Sequence, residues 1–184
     1  RVEIVLDVSG SMRASAGGMT RMEAAQRAVK ATVEAIDASS VVALRLYGHR
    51  LPSEPKDASC RDTELVIPFG PLDRQRFVAA VEAARPLGQT PLAYALEQAA
   101  ADFGEIGDEP AVVILVSDGE ESCGGDPAKV ACAFAARGLE LTVHTVGFDV
   151  GAVAREQLTA IARCTGGEYR DAKNAGELGK ALSD

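Results

Sequence analysis

Four short runs of aliphatic, largely β-branched residues recur along the chain: Val2 to Leu6, Val41 to Leu46, Ala111 to Val116 and Leu141 to Val146. Nearly every position in them is apolar, the pattern of parallel strands covered on both faces. The intervals between them carry helical spacing. Thr20-Arg21-Met22-Glu23 forms a capping box, and Ala25, Val29, Val33 and Ile36 follow at steps of four, four and three. Further helices are predicted from Asp73 to Ala84 before Pro86, from Pro91 to Phe103, from Asp126-Pro127 to Gly138, from Ala152 to Arg163 before Gly166-Gly167, and from Asn174 to Leu182. Glu64 to Phe69 follows the second strand with no helix between, so it is expected to return antiparallel at the sheet's edge, where Pro68 is tolerated. A short sixth strand fits around Glu168-Tyr169. This order predicts an α/β fold: a doubly wound, mostly parallel six-stranded sheet with one antiparallel edge strand and helices on both faces. Ligands of such sheets sit beyond the carboxyl ends of the strands. Ser53 to Arg61 and Arg13 to Gly18 read as loops, the latter flexible and exposed.

Composition narrows the partners. The chain has 184 residues, 47% hydrophobic and 25% charged, which suits one domain over 1–184 with a core that needs no metal or disulfide. A net charge of −8 disfavours nucleic acid and anionic membranes. No apolar run reaches the ~20 residues of a membrane span. The chain opens on Arg1 and runs straight into a strand, so it is expected to be a piece of a longer precursor.

The chemistry gathers at strand ends. Asp7-Val8-Ser9-Gly10-Ser11 follows the first strand, placing a carboxylate and two hydroxyls at alternate positions around a glycine that permits a tight turn. Ser117-Asp118-Gly119 follows the fourth strand, and Thr90 precedes the proline that opens a helix. Alone, Thr90 reads as a helix cap. Together, two carboxylates and three hydroxyls from three loops make an all-oxygen shell for a hard divalent ion. With at most two anionic ligands, such an ion keeps an appetite for an incoming carboxylate.

Asp7-Val8-Ser9-Gly10-Ser11-Met12, Thr90-Pro91-Leu92 and Ser117-Asp118-Gly119 resemble the metal-ion-dependent adhesion site of von Willebrand factor type A domains. The resemblance spans nearly the whole chain and departs from the family pattern at no position of the motif. It implies Ser9, Ser11 and Thr90 as hydroxyl ligands, with Asp7 and Asp118 ligating directly or through water. Mg2+ or Mn2+ is the expected ion, with Ca2+ a further option. It also implies a role in binding proteins, and the Rossmann-like sheet described above.

The four cysteines, Cys60, Cys123, Cys132 and Cys164, contain no CxxC pair, which disfavours a zinc ribbon or a thioredoxin motif. Four unpaired thiols are one reading. The other follows from topology: Cys60 and Cys123 lie in loops leaving strand tops, and Cys132 and Cys164 lie in helices that successive right-handed crossovers place side by side. Pairing Cys60 with Cys123 and Cys132 with Cys164 is therefore predicted. It would place the domain in an extracytoplasmic setting: periplasmic, secreted or at the cell surface.

Several residues carry two readings. His49 is a candidate partner contact at the end of the second strand, while His144 reads as a hydrogen-bonded strand residue. Glu120, Glu121 and Asp126 form either a solvated loop with a capping aspartate or an acidic rim that attracts a cation or a partner. Met12 and Met19 read either as plugs beneath the loop after Asp7 or as side chains exposed to a ligand. The function expected is a divalent-metal-dependent protein-binding domain, used in adhesion or assembly, whose ion accepts an Asp or Glu carboxylate from a partner; no enzymatic activity is expected. Two alternatives stand beside it. One is a Mg2+-dependent phosphoryl hydrolase using Asp7, which would want a carboxylate where Ser9 stands and a lysine at a strand end. The other is a regulatory module with no ligand of its own. No GxSxG elbow supports a serine hydrolase.

Overall fold

The computed structural model describes residues 1–16, 18–104, 110–173 and 176–177. The described residues form β1 (Val2–Asp7), a 3-10 turn at Gly10–Arg13, β2 (Ser15–Ala16), β3 (Met19–Thr20), α1 (Arg21–Ala35), β4 (Val41–Tyr47), α2 (Lys56–Ser59) and β5 (Thr63–Pro71). They continue with α3 (Arg74–Ala83), α4 (Leu92–Asp102), β6 (Ala111–Ser117), α5 (Pro127–Ala136), β7 (Leu141–Phe148), α6 (Ala152–Cys164) and β8 (Tyr169–Ala172). Six strands make one sheet in the order β5-β4-β1-β6-β7-β8, parallel except for β5 at the edge. The predicted helix from Asn174 to Leu182 lies outside the described residues apart from Gly176 and Glu177.

Strand alternation divides the core into two layers. Ile4 and Leu6 of β1 face α1 and α3, meeting Met22, Val29, Val33, Phe77 and Val81. Val5 faces the opposite layer, where Leu92, Leu96, Phe134, Leu158 and Ile161 of α4, α5 and α6 pack with Val113, Leu115 and Val143. Helix α1 starts as its capping box requires: the Thr20 hydroxyl accepts from the Glu23 amide at 3.1 Å, and the Glu23 carboxylate accepts from the Thr20 amide at 2.7 Å. Helix α5 starts at Pro127 with the Asp126 carboxylate accepting from the Lys129 amide, so Asp126 is a cap. Met12 is fully buried and Met19 packs partly buried against the same core.

The segment from Arg13 to Gly18 differs from the expectation of a flexible loop. Ser15 and Ala16 pair antiparallel with Thr20 and Met19, and the Arg21 amide donates to Ala14 O at 2.8 Å. A ladder of two residues on each side is too short to show the alternation by which strands are recognised.

On either side of β1 the chain leaves in opposite directions, to β4 and to β6. The crevice above the carboxyl end of β1 is thus the topological switch point of the sheet.

Candidate metal centre

Asp7 ends β1 at that crevice and is completely buried. Its Oδ1 accepts from the Ser9 amide at 2.8 Å and its Oδ2 from the Ser117 hydroxyl at 2.6 Å. Burial pushes its pKa above the ordinary carboxylate range, against the pull of Ser117 and Ser9. Beside it, the fully buried Tyr47 hydroxyl has no hydrogen-bond partner, and burial followed by the charge of Asp7 holds it as a neutral phenol.

A line of oxygens runs out from Asp7. Ser9 Oγ and Ser11 Oγ are 3.0 Å apart, and Ser11 Oγ donates to Asp118 Oδ1 at 2.7 Å. Burial first, then the charge of Asp7, push Asp118 up to about 6, while Ser11 and Arg21 pull the other way. Two buried carboxylates close enough to repel one another, with hydroxyls between them, are electrostatically unsatisfied in a way that a cation relieves.

Thr90 completes the group. A methyl placed on Gly119 would come within 3.6 Å of Ser11 Oγ and 4.0 Å of Thr90 Oγ1, so both hydroxyls face the same point. The capping role does not apply to Thr90. Pro91 occupies the cap position of α4 without a side-chain bond, and Thr90 is held by its backbone: its amide donates to Ser122 Oγ at 2.8 Å and its carbonyl accepts from the Ser122 amide at 3.1 Å. The first turn of α4 is instead capped by Glu121, whose Oε2 accepts from the Ala93 amide at 2.8 Å and whose Oε1 accepts from the Cys123 amide at 2.7 Å. Ser122 Oγ also donates to Gln89 Oε1, and the Gln89 amide donates to Ser59 Oγ. Three loops are thereby knitted into one support.

Gly48 shows how closely these loops approach. Its φ is +70°, and a Cβ there would lie 2.7 Å from Gln89 O and 2.9 Å from Ser9 Cα. Only glycine fits between the end of β4 and the Ser9 turn.

The structure joins Cys60 to Cys123 and Cys132 to Cys164. The first bond ties the loop after α2 to the Glu121 loop; the second ties α5 to α6.

Among the residues read as partner contacts, Glu120 is exposed. Glu121 is committed inside the fold, as described. His49 keeps only 12% of its side chain exposed; its Nε2 lies 3.3 Å from Glu64 Oε2, and its buried Nδ1 has no partner. Burial lowers its pKa against the pull of Asp62 and Glu64, and little of the side chain reaches solvent. His144 Nδ1 accepts from the Glu168 amide at 3.2 Å, a structural bond.

Sequence reasoning missed Arg21 and Asp149. Arg21 opens α1, and its Nη1 donates to Asp118 Oδ2 at 2.8 Å while Nη2 donates to Asp149 Oδ2 at 2.8 Å. The signal was present: a residue opening the helix after the first strand stands at the sheet's functional end.

The donor set fits a hard divalent ion: every candidate ligand is an oxygen, and Thr90 Oγ1 makes no hydrogen bond to any described residue. The chain is 32% identical over 183 residues to the Bacillus subtilis protein YwmD, covering 98% of this chain and 82% of that one. Its fold is similar to that of the pilus adhesin SpaC of Lactobacillus rhamnosus GG, with a TM-score of 0.77, 18% identity, and coverage of 98% of this chain and 29% of that one. It is also similar to proximal thread matrix protein 1 of the mussel byssus, solved with a zinc-occupied MIDAS motif, with a TM-score of 0.71, 17% identity, and coverage of 100% and 43%. A family profile described as the von Willebrand factor type A domain matches residues 2–121. With that profile covering the crevice and all of β1 to β6, this chain belongs to the von Willebrand factor type A family.

Proposed function

We propose that this domain binds a protein partner through a divalent ion held by Asp7, Ser9, Ser11, Thr90 and Asp118. The observation that carries this reading is the line of Ser9, Ser11 and Asp118 oxygens, with Thr90 Oγ1, from a third loop and without a bond of its own, facing the same point beside Gly119. Asp7 fixes the Ser9 turn from beneath, Ser11 aligns one oxygen of Asp118, and the Ser122 and Glu121 bonds hold Thr90 over the same point. The bound ion supplies a Lewis-acidic position that a partner's Asp or Glu carboxylate completes. Mg2+ or Mn2+ suits the oxygen donors; the zinc-occupied motif of the mussel protein supports a divalent ion in general. An adhesin and a matrix protein among the structural relatives favour a binding role over an enzymatic one. The two disulfides favour an extracytoplasmic setting, since such bonds persist in oxidising compartments. No helix among the described residues is long and apolar enough to cross a membrane.

The phosphoryl-hydrolase alternative loses ground. Asp7 is completely buried with both oxygens held, which is the wrong presentation for a nucleophile.

Isothermal titration of Mg2+ and Mn2+ into the wild type, Thr90→Ala and Asp118→Ala tests the reading, with circular dichroism to confirm that each variant is folded. Saturable binding in the wild type that is lost in the variants is expected. Absence of binding to the wild type, or equal binding to folded Asp118→Ala, overturns it.

A further inference from the structure

The metal reading leaves one ionised group at the crevice without a task. Arg21 is placed by the Thr20 capping box and by its own amide bond to Ala14 O. Its side chain is 20% exposed, while that of Asp118 is fully buried. The guanidinium spans two strand ends. Nη1 reaches Asp118 Oδ2 at 2.8 Å; Nε and Nη2 reach Asp149 Oδ2 at 3.1 and 2.8 Å; Nη2 also reaches the Asp149 carbonyl at 3.2 Å. Asp149 adopts a φ of +53°, uncommon for a residue with a side chain, and its amide is pinned to Ala172 O at 2.8 Å. The far end of the clasp is therefore fixed by the loop after β7.

The two oxygens of Asp118 are divided between different partners. Oδ1 takes the Ser11 hydroxyl and so belongs to the line of candidate ligands, while Oδ2 takes Arg21. The guanidinium, always charged, thus neutralises one of the two buried carboxylates from the side away from the hydroxyls. A divalent ion entering beside Asp7 and Asp118 alone would find two negative charges and become formally neutral. Asp149 shares the guanidinium, so with Arg21 in place the loaded centre and its clasp are formally neutral, one unit more positive than they would be without Arg21.

We propose that Arg21 is a resident counter-cation of the centre, a positioning residue that weakens binding of the divalent ion and strengthens the loaded centre's hold on an anionic partner group. This rests on the metal reading above. The trade has opposite signs in two measurements, which a merely structural role does not produce.

The test compares the wild type, Arg21→Gln and Arg21→Lys in two titrations. The first adds Mn2+ to metal-free protein, followed by the electron paramagnetic resonance signal of free Mn2+. The second adds acetate to the Mn2+-loaded protein, followed by water-proton relaxation. Arg21→Gln is expected to bind Mn2+ about five- to tenfold more tightly, and its loaded form to bind acetate more weakly by a similar factor, at low ionic strength where such fields persist. Arg21→Lys keeps the charge and is expected to stay near the wild type in both. Weaker Mn2+ binding by Arg21→Gln, unchanged binding in both titrations, or an Arg21→Lys variant that behaves like Arg21→Gln overturns the inference alone. A wild type that binds no Mn2+ overturns the metal reading and this inference with it.

Discussion

Replacing Glu3 by Gln should stabilise this domain, and increasingly so as the pH rises. Glu3 lies in the middle of the sheet on the same face of β1 as Asp7, completely buried, and neither of its carboxylate oxygens makes a hydrogen bond. The nearby cation, Arg45, lies 3.3 Å from Glu3 Oε1 but is bonded to Asp102 and to the Thr63 hydroxyl. Burial first, then the charge of Asp102, push the Glu3 pKa from 4.5 up to about 9, with Arg45 pulling the other way. The folded chain therefore keeps a proton that the unfolded chain releases above pH 4.5. Stability is complete below that pH and falls as the pH climbs toward 9. Each pH unit in this window costs about 1.4 kcal/mol, or roughly 3 kcal/mol by pH 7. Glutamine has the same shape and no proton to lose, although one of its N–H groups can be left unsatisfied at a cost of about 1 kcal/mol. The expected net gain is about 1–3 kcal/mol at pH 7, shrinking to nothing near pH 5. Urea unfolding of both proteins at pH 5 and pH 8 measures it, because every other titrating group is common to the pair. Parallel pH profiles for wild type and Glu3→Gln would refute the reasoning.

Removing either disulfide as a Cys→Ser pair should cost roughly 4 kcal/mol by loop-closure entropy, slightly more for Cys60–Cys123, which spans 63 residues, than for Cys132–Cys164, which spans 32. Chemical denaturation reads this, and a loss below about 1 kcal/mol for both pairs counts against it. Gly48→Ala should destabilise by at least about 2 kcal/mol, since it combines left-handed strain with a Cβ 2.7 Å from Gln89 O, and any protein that still folds should bind Mn2+ poorly because Ser9 is displaced. Wild-type affinity in a folded Gly48→Ala protein would show that the close approach is unimportant. Thr20→Ala should cost about 1 kcal/mol through loss of the α1 cap, measured by the shift in urea midpoint, with no shift as the contrary result.

The sheet was legible because strands buried on both faces write continuous apolar runs, and the helices because Thr20, Pro86, Pro127 and Gly138 punctuate them. The oxygen line was legible for a related reason: Asp7, Ser9, Ser11 and Asp118 sit where strand ends must place them. What escaped depends on contacts remote in sequence. Arg21 reads locally as a first-turn residue of a capping box, and only the fold brings it to Asp118, 97 positions away. The true cap of α4 is Glu121, which no pattern around Thr90-Pro91 can announce. His49 looked presented because it follows a strand, yet Glu64 on the antiparallel edge strand covers it.

Helix α1 and helix α4 differ in what completes them. The cap of α1 lies within its own first turn, so it depends on local sequence alone. The first turn of α4 depends on a carboxylate 28 residues beyond Ala93, in the loop after β6. The same Glu121 side chain bonds the Cys123 amide, and Cys123 is bonded to Cys60. One carboxylate thus ties the start of α4, the loop after β6 and the disulfide to each other, so disturbing any one of them disturbs the support beneath Thr90.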